Sequence, residues 1–440
     1  MVRPLLREKH MAEERPLQIG LAGLGNVGLG VYRNLARNRE LLRERNGRDM
    51  EIRRVVVRDL TKPRDLAFPE GMLSGRLDDL IEDDEIDIVV ELIGGIEEAL
   101  DFVTRAIRRG KTVVTANKAL LALHGKDLFA LAEERGTMIY FEAAVAGGIP
   151  IIKTVQESLV GNNIESIIGI INGTSNYILT RMAKEGLSYG EALEEARKLG
   201  YAEADPSLDV NGGDAAHKAV ILASLSYGSW VPFDQVHVEG IERLGKVDLQ
   251  FAHDLGYTVK LLAVIKLVDG DRIEVRVQPS LIPSTHILAN VNGVYNAILV
   301  KGDIVGETLF YGRGAGQDPT SSSVISDLAD AATASCRCGF VPHGLYGKPL
   351  PQEESVSQYY LRLQVEDKPG VLAQVAGILG RAGVGILAMI QREAGDGQGA
   401  PIVVMLHDAK FGVVQRAVAE IAELPCVHHE PVLMRVERLD

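Results

Sequence analysis

A short apolar strand, Leu17 to Ala22, runs directly into Gly23-Leu24-Gly25-Asn26-Val27-Gly28 and then a helical stretch from Leu29. A glycine-rich turn between a strand and a helix constrains the fold strongly. Gly23 makes the tight turn, Gly25 admits a pyrophosphate, and Gly28 lets helix and strand pack closely. The helix N-terminus then faces the negative phosphates. Further apolar strands are expected at Ile52 to Val57, Ile86 to Leu92, Thr112 to Thr115 and Met138 to Phe141, with helical stretches between them. That alternation predicts an α/β fold with a doubly wound, Rossmann-type parallel sheet. Such sheets bind ligands at the carboxyl ends of their strands, where Gly94-Gly95 and Thr115-Ala116-Asn117-Lys118 stand.

The second strand ends in Arg58 and Asp59, with Lys62 close behind. An acidic side chain there would bond a ribose 2′-hydroxyl, whereas arginine pairs with a 2′-phosphate. Arg58 and Lys62 favour NADP, and Asp59 keeps NAD open. A formal charge of −13 argues against nucleic acid or an anionic membrane as the main partner. No apolar run approaches the roughly 18 residues that span a bilayer. The N-terminal residues carry Arg3, Arg7 and Lys9 with no apolar stretch behind them, so a disordered tail is expected, with Met1 or Met11 as the start. Three cysteines suit a cytoplasmic protein, and the Cys336-x-Cys338 pair lacks a second pair to complete a zinc site.

The stretch from Ala196 to Lys218 is the densest in chemistry. Ser188 and Glu191 have capping-box spacing, and Ala192, Leu193, Ala196 and Leu199 recur at helical intervals until Gly200. Asp205-Pro206 and Asn211-Gly212-Gly213 break the chain, and a second helix is expected from Asp214 toward Tyr227. Asp214 and Lys218, four apart, share one face of it, either as a surface ion pair or as a catalytic pair. The whole string, Ala196, Gly200-Tyr201-Ala202, Asp205-Pro206, Asp209-Val210, Gly212, Asp214 and Lys218, resembles the signature of homoserine dehydrogenase.

That resemblance implies a small-molecule substrate, L-homoserine or L-aspartate 4-semialdehyde, in threonine and methionine biosynthesis. It assigns Lys218 the acid/base role, places Lys118 between cofactor and substrate, and gives the substrate's polar groups to Glu203, Asp214 and Thr174 of Asn172-Gly173-Thr174-Ser175-Asn176. It extends the cofactor-binding set Gly23, Gly25, Asn26, Val27, Gly28, Arg58 and Lys62 to Gly95, Thr115, Lys118, Gly200 and Gly316. It makes the loop Glu142 to Pro150 similar to a monovalent cation site, often sodium, using Glu142 and the main-chain oxygens of Val145, Gly147 and Ile149; read from its residues alone, the same loop is a hinge without an ion.

Strands at Ile167 to Asn172, Val259 to Leu267 and Ile273 to Gln278 suggest a second, α+β domain that covers the substrate and pairs subunits into a homo-oligomer, a dimer or tetramer. Beyond a Gly- and Pro-rich linker, Tyr359 to Val365, Val371 to Ala382, Val384 to Gln391, Ile402 to His407, Phe411 to Leu424 and Val432 to Val436 read as βαββαβ. Asp367-Lys-Pro-Gly-Val-Leu372 resembles the opening of an ACT domain, which implies an amino-acid effector such as threonine, held near Asp367, Gly370, Val371 and Leu372. The family's serine is replaced here by Gly385. The expected domains are a tail at 1–16, a dinucleotide-binding domain at 17–150, a catalytic and dimerisation domain at 151–320, a return helix and linker at 321–357, and the ACT domain at 358–440. The rivals are a dehydrogenase for another amino or hydroxy acid, and a non-catalytic nucleotide sensor.

Overall fold

The computed structural model describes residues 15–64, 66–333, 339–391 and 399–439. The N-terminal tail, Cys336 and Cys338 lie outside the described residues. The chain divides into two compact units, residues 1–157 with 315–340, and residues 158–314 with 341–440. Among the described residues no helix is long and apolar enough to cross a membrane.

The first unit holds β1 (Leu17–Ala22), β2 (Met50–Val56), β3 (Leu73–Ser74), β4 (Ile88–Glu91), β5 (Thr112–Thr115) and β6 (Ile139–Tyr140). They form a six-stranded sheet in the order β3-β2-β1-β4-β5-β6, every pair parallel. β4 reads Ile-Val-Val-Glu and is buried at all four positions, as expected of a parallel strand covered on both faces. The strand order reverses between β1 and β4, which opens a crevice at their carboxyl ends. The helix Asn26–Arg37 follows β1, Glu97–Arg108 follows β4, and Lys118–Arg135 follows β5. Glu97 and Glu98 in the first turn of the second of these, and Arg105 and Arg108 in its last, complement its dipole.

The charged stretch after the first helix folds into a further short helix, Arg39–Asn46, which buries no side chain. The helix Gln317–Thr333 returns to this unit and packs on Asn26–Arg37. Gly30 lets the two approach, since a Cβ there would lie 2.9 Å from the Gln317 carbonyl oxygen. Asn34 then donates to Asp318 Oδ1 at 3.0 Å and to Ser321 Oγ at 2.9 Å.

The second unit carries β7 (Ile164–Ile170), β8 (His237–Val238), β9 (Tyr257–Val268), β10 (Arg272–Pro283), β11 (Tyr295–Gly302), β12 (Gly306–Arg313), β13 (Val356–Val365), β14 (Ile386–Gln391), β15 (Ala400–Lys410) and β16 (Val432–Val436). They make one sheet in the order β12-β11-β7-β9-β10-β16-β13-β15-β14, with β8 against β10. The βαββαβ segment is therefore continuous with the middle sheet, joined where β10 pairs in parallel with β16 at Ser280–Arg435 and Leu281–Val436. Buried charges flank the join. Arg276 and Lys266 donate to Glu437, the latter at 2.7 Å, and Arg435 donates to Glu274 at 3.3 Å. Burial alone would push the Glu437 carboxyl up, but Arg276 and Lys266 hold it down at about 2. Asp248, fully buried, accepts from Arg362 Nε at 2.5 Å and Tyr360 Oη at 3.1 Å.

Several boundaries differ from expectation for local reasons. β7 ends at Ile170, because the next carbonyl and side chain, Ile171 and Asn172, bond to other groups of the site. Val384 lies before β14 because its amide closes the preceding helix on the Leu379 carbonyl at 2.9 Å.

Candidate active site

The crevice in the first unit is a cleft of about 490 Å³ lined by Gly23, Gly25, Arg58, Asp59, Lys62 and Arg64, among others. Its glycine turn has the geometry a pyrophosphate needs. Gly23 sits at φ 100°, and a Cβ on Gly28 would lie 2.1 Å from the Gly23 carbonyl oxygen. At Gly25 nothing lies within 4 Å of where a Cβ would be, so the backbone is open to a ligand. Gly25 and Asn26 are exposed at the helix start, with Val27 partly buried behind them.

The Asp59 carboxylate is drawn into its own loop, accepting from Thr61 N at 2.8 Å and Thr61 Oγ1 at 2.7 Å. Arg64 clamps the same loop by donating to the Asp59 and Lys62 carbonyls at 2.6 and 2.9 Å. Arg58 stands exposed with Glu98 3.5 Å away.

The loops after β4 and β5 are tied by a carboxylate that sequence reasoning missed. Glu91, fully buried, accepts from Thr115 Oγ1 at 2.6 Å, Ile93 N at 3.0 Å and Gly94 N at 3.3 Å. Burial pushes its carboxyl up, against those hydrogen bonds. The Thr115 hydroxyl is therefore spent on Glu91. Asn117 donates to the Gly95 carbonyl at 2.7 Å and caps the helix that Lys118 begins. Gly316, at φ 125°, opens the return helix, whose fourth residue Thr320 bonds to its carbonyl at 3.1 Å.

In the loop after β6, Glu142 is buried and accepts from the amides of Ile152 and Lys153 at 3.0 and 2.8 Å. Ala146 and Gly147 take left-handed conformations there. The Gly147 carbonyl accepts from Ser323 Oγ at 2.6 Å, and the Ile149 carbonyl from Ile151 N at 2.9 Å. Each of these oxygens keeps a second lone pair, so a hard cation could share them. No cluster of three or more metal-binding side chains occurs among the described residues.

The second unit gathers a different constellation. The helix Gly213–Tyr227 begins after Gly212, and Asp214 and Lys218 lie on its buried face, 7% and 8% exposed. Lys218 Nζ donates to Asp214 Oδ2 at 2.6 Å and to the Ile171 carbonyl at 2.7 Å. Asn172 Nδ2 donates to Asp214 Oδ2 and to Asp209 Oδ1, both at 2.8 Å. Burial and the Asp214 charge push the Asp209 carboxyl up, and the Asn172 amide and Lys218 counter them. The i, i+4 spacing of Asp214 and Lys218 is thus a buried pair, not a surface one.

Thr174 donates to the Tyr201 carbonyl at 2.8 Å. Glu203 is exposed on the loop between, and Gly200, at φ 73°, ends the preceding helix. Asp209 and Asn172 were not singled out as site residues from sequence, although Asp209 lies inside the 23-residue string. In the last segment Gly370, at φ 92°, begins the helix Val371–Arg381. The neighbouring Asp367 and Gly370 are exposed, Leu372 half-buried and Val371 buried. A Cβ on Gly385 would lie 3.0 Å from the His407 imidazole, so a side chain there would crowd that ring.

A glycine cradle on a parallel sheet, together with a buried lysine poised on a carboxylate, defines a nicotinamide-dependent dehydrogenase. The family models agree in detail. Residues 23–142 match the NAD-binding domain of homoserine dehydrogenase, 150–329 match homoserine dehydrogenase, and 359–426 match the ACT domain. The homoserine dehydrogenase of Pseudomonas aeruginosa is 44% identical over 97% of this chain and 100% of its own length. That of Bacillus subtilis is 40% identical over 96% and 99%. A solved homoserine dehydrogenase from Thiobacillus denitrificans superposes with a TM-score of 0.90 at 43% identity, covering 97% of this chain and 99% of that one. A hyperthermophilic archaeal homoserine dehydrogenase in complex with NADPH reaches 0.62 at 28% identity, over 73% and 99%. The chain belongs to the homoserine dehydrogenase family and is an NAD(P)-dependent oxidoreductase with a C-terminal ACT domain.

Because Asp59 is engaged by its loop while Arg58 faces the cleft, Arg58→Ala should weaken NADP more than NAD, by about 1.5–3 kcal/mol for a lost charged hydrogen bond. Steady-state KM values for the two cofactors measure this. Equal changes for both would show that Arg58 does not read the phosphate.

Proposed function

We propose that the chain interconverts L-homoserine and L-aspartate 4-semialdehyde, with NADP preferred to NAD, and that Lys218 moves the proton. The observation that carries this is the buried Lys218 ammonium held by Asp214 and the Ile171 carbonyl. The bound nicotinamide supplies or accepts the hydride. Reducing the aldehyde puts a proton on its oxygen, which the Lys218 ammonium can give, and oxidising the alcohol returns it. Asp214 and Glu203 take the substrate's ammonium by charge-assisted hydrogen bonds. The Thr174 hydroxyl, within hydrogen-bonding reach of the Tyr201 carbonyl and of Asp209, offers its oxygen to a substrate donor. Lys118 supplies positive charge for a developing alkoxide. Lys218→Ala should lower kcat by roughly 100-fold or more with cofactor binding largely kept. Following NADPH absorbance with aspartate semialdehyde decides it, and near-normal turnover sinks the assignment.

The reading includes a sodium ion shared by Glu142 and the carbonyl oxygens of Val145, Gly147 and Ile149, with no chemical step routed through it. Its support is the buried carboxylate beside a left-handed backbone. Replacing sodium with tetramethylammonium at equal ionic strength should depress the rate, and an unchanged rate removes the ion from the reading.

The ACT domain makes the enzyme sensitive to an amino acid, and threonine is the effector we assign, bound by the amides of Gly370 to Leu372 and by Asp367 in a homo-oligomer. Deleting the domain is a poor test, because β16 belongs to the same sheet as β10. Instead, Asp367→Ala in the full chain should raise the half-inhibiting threonine concentration about fivefold or more, the ordinary scale of allosteric coupling. Identical titrations for variant and parent, or no inhibition of the parent, would overturn it.

A further inference from the structure

The end of β7 touches every charged group of the buried cluster. The Ile171 carbonyl receives Lys218 Nζ, and the next side chain, Asn172, bridges two carboxylates. Its amide nitrogen has two hydrogens, and each goes to a different acid, one to Asp209 on the short helix Ser207–Val210 and one to Asp214 on the helix Gly213–Tyr227. Its amide oxygen meanwhile accepts from Ser175 N at 2.8 Å as the cap of the helix Gly173–Glu185. A single planar amide therefore ties three helices to one point.

We propose that Asn172 is a positioning residue for the reaction: its two amide hydrogens hold Asp209 and Asp214 in place as a pair of carboxylates, with Asp214 turned to Lys218. The proposal rests on the reading of Lys218 as the acid/base. Two like charges sharing a buried site repel, and without donors between them one takes up a proton. The charged groups facing Asp209 are Asp214 and Lys218, and the Asn172 amide, then the Thr174 hydroxyl, are the neutral donors that favour its ionised form. Neither serine nor aspartate serves in its place. Serine can cap a helix but brings one hydrogen, and aspartate can cap but brings none.

That difference separates the capping role from the positioning role. Asn172→Ser in the full chain keeps an oxygen for Ser175 N and removes the bridge. It should keep its melting temperature within a few degrees and its NADPH affinity. Its kcat/KM for homoserine should fall roughly tenfold or more, the scale of a lost hydrogen bond to a charged group. The acid limb of its pH profile should also move to higher pH, because Asp209, already pushed up by burial and by Asp214, then loses the amide that counters them. Asn172→Asp, nearly isosteric, should lose more activity by adding a third acid, and it replaces the serine variant if that one fails to fold. Parental kcat/KM with an unmoved acid limb overturns the proposal. So does a loss of activity that merely tracks melting temperature with an unchanged pH profile. Near-normal turnover of Lys218→Ala overturns the acid/base reading alone, since the acid limb reports on the carboxylates whichever group carries the proton.

Discussion

Lys218 and Asp214 are both about nine-tenths covered, and a lone charge in such a place costs several kcal/mol. The pair persists because its partners arrive from separate directions: a carboxylate one helical turn away, a carbonyl from the end of β7, and an amide that also steadies a second acid. Much of the local architecture follows from meeting that demand. The strand stops where its carbonyl is needed, and the turn at Asn211-Gly212-Gly213 lets two acid-bearing helices converge on one asparagine.

The first unit meets a similar demand differently. Glu91 is buried at the carboxyl end of β4 and is held by neutral donors, the Thr115 hydroxyl, the Ile93 and Gly94 amides and the Asn117 side chain. Those bonds pin the two loops that border the crevice, so the acid works as a fastener for the ligand-binding edge. Beside it, Asp59 folds back on Thr61 and leaves the basic side chains to face the cleft.

Much of this was legible in the residues. The turn at Gly23 to Gly28 announces its fold because each glycine answers a steric need: a Cβ at 28 would collide with the carbonyl at 23. Local spacing likewise placed Asp214 and Lys218 on one helical face. Spacing could not say whether that face was wet or buried, since the helix packs on β9 and β10, distant in sequence. Nor could it find Asn172 or Glu91. An asparagine before a helix reads as a cap, and a glutamate ending a strand reads as a solvated charge. Their roles arise from partners 37 and 24 residues away. The join between β10 and β16 was illegible for the same reason, as neither strand carries a mark of which edge it will meet.

That join changes what a module boundary means in this chain. The linker near residue 340 looks like a place to cut, yet on its far side lies Glu437, the counter-ion of Arg276. A shortened chain would leave that buried guanidinium with Glu274 alone of its two acids. Mutation can silence the last segment far more easily than deletion can remove it, and a transplanted sensor of another lineage would have to bring an acid at this position. The two segments are bound to inherit together, as a lock and the key cut for it.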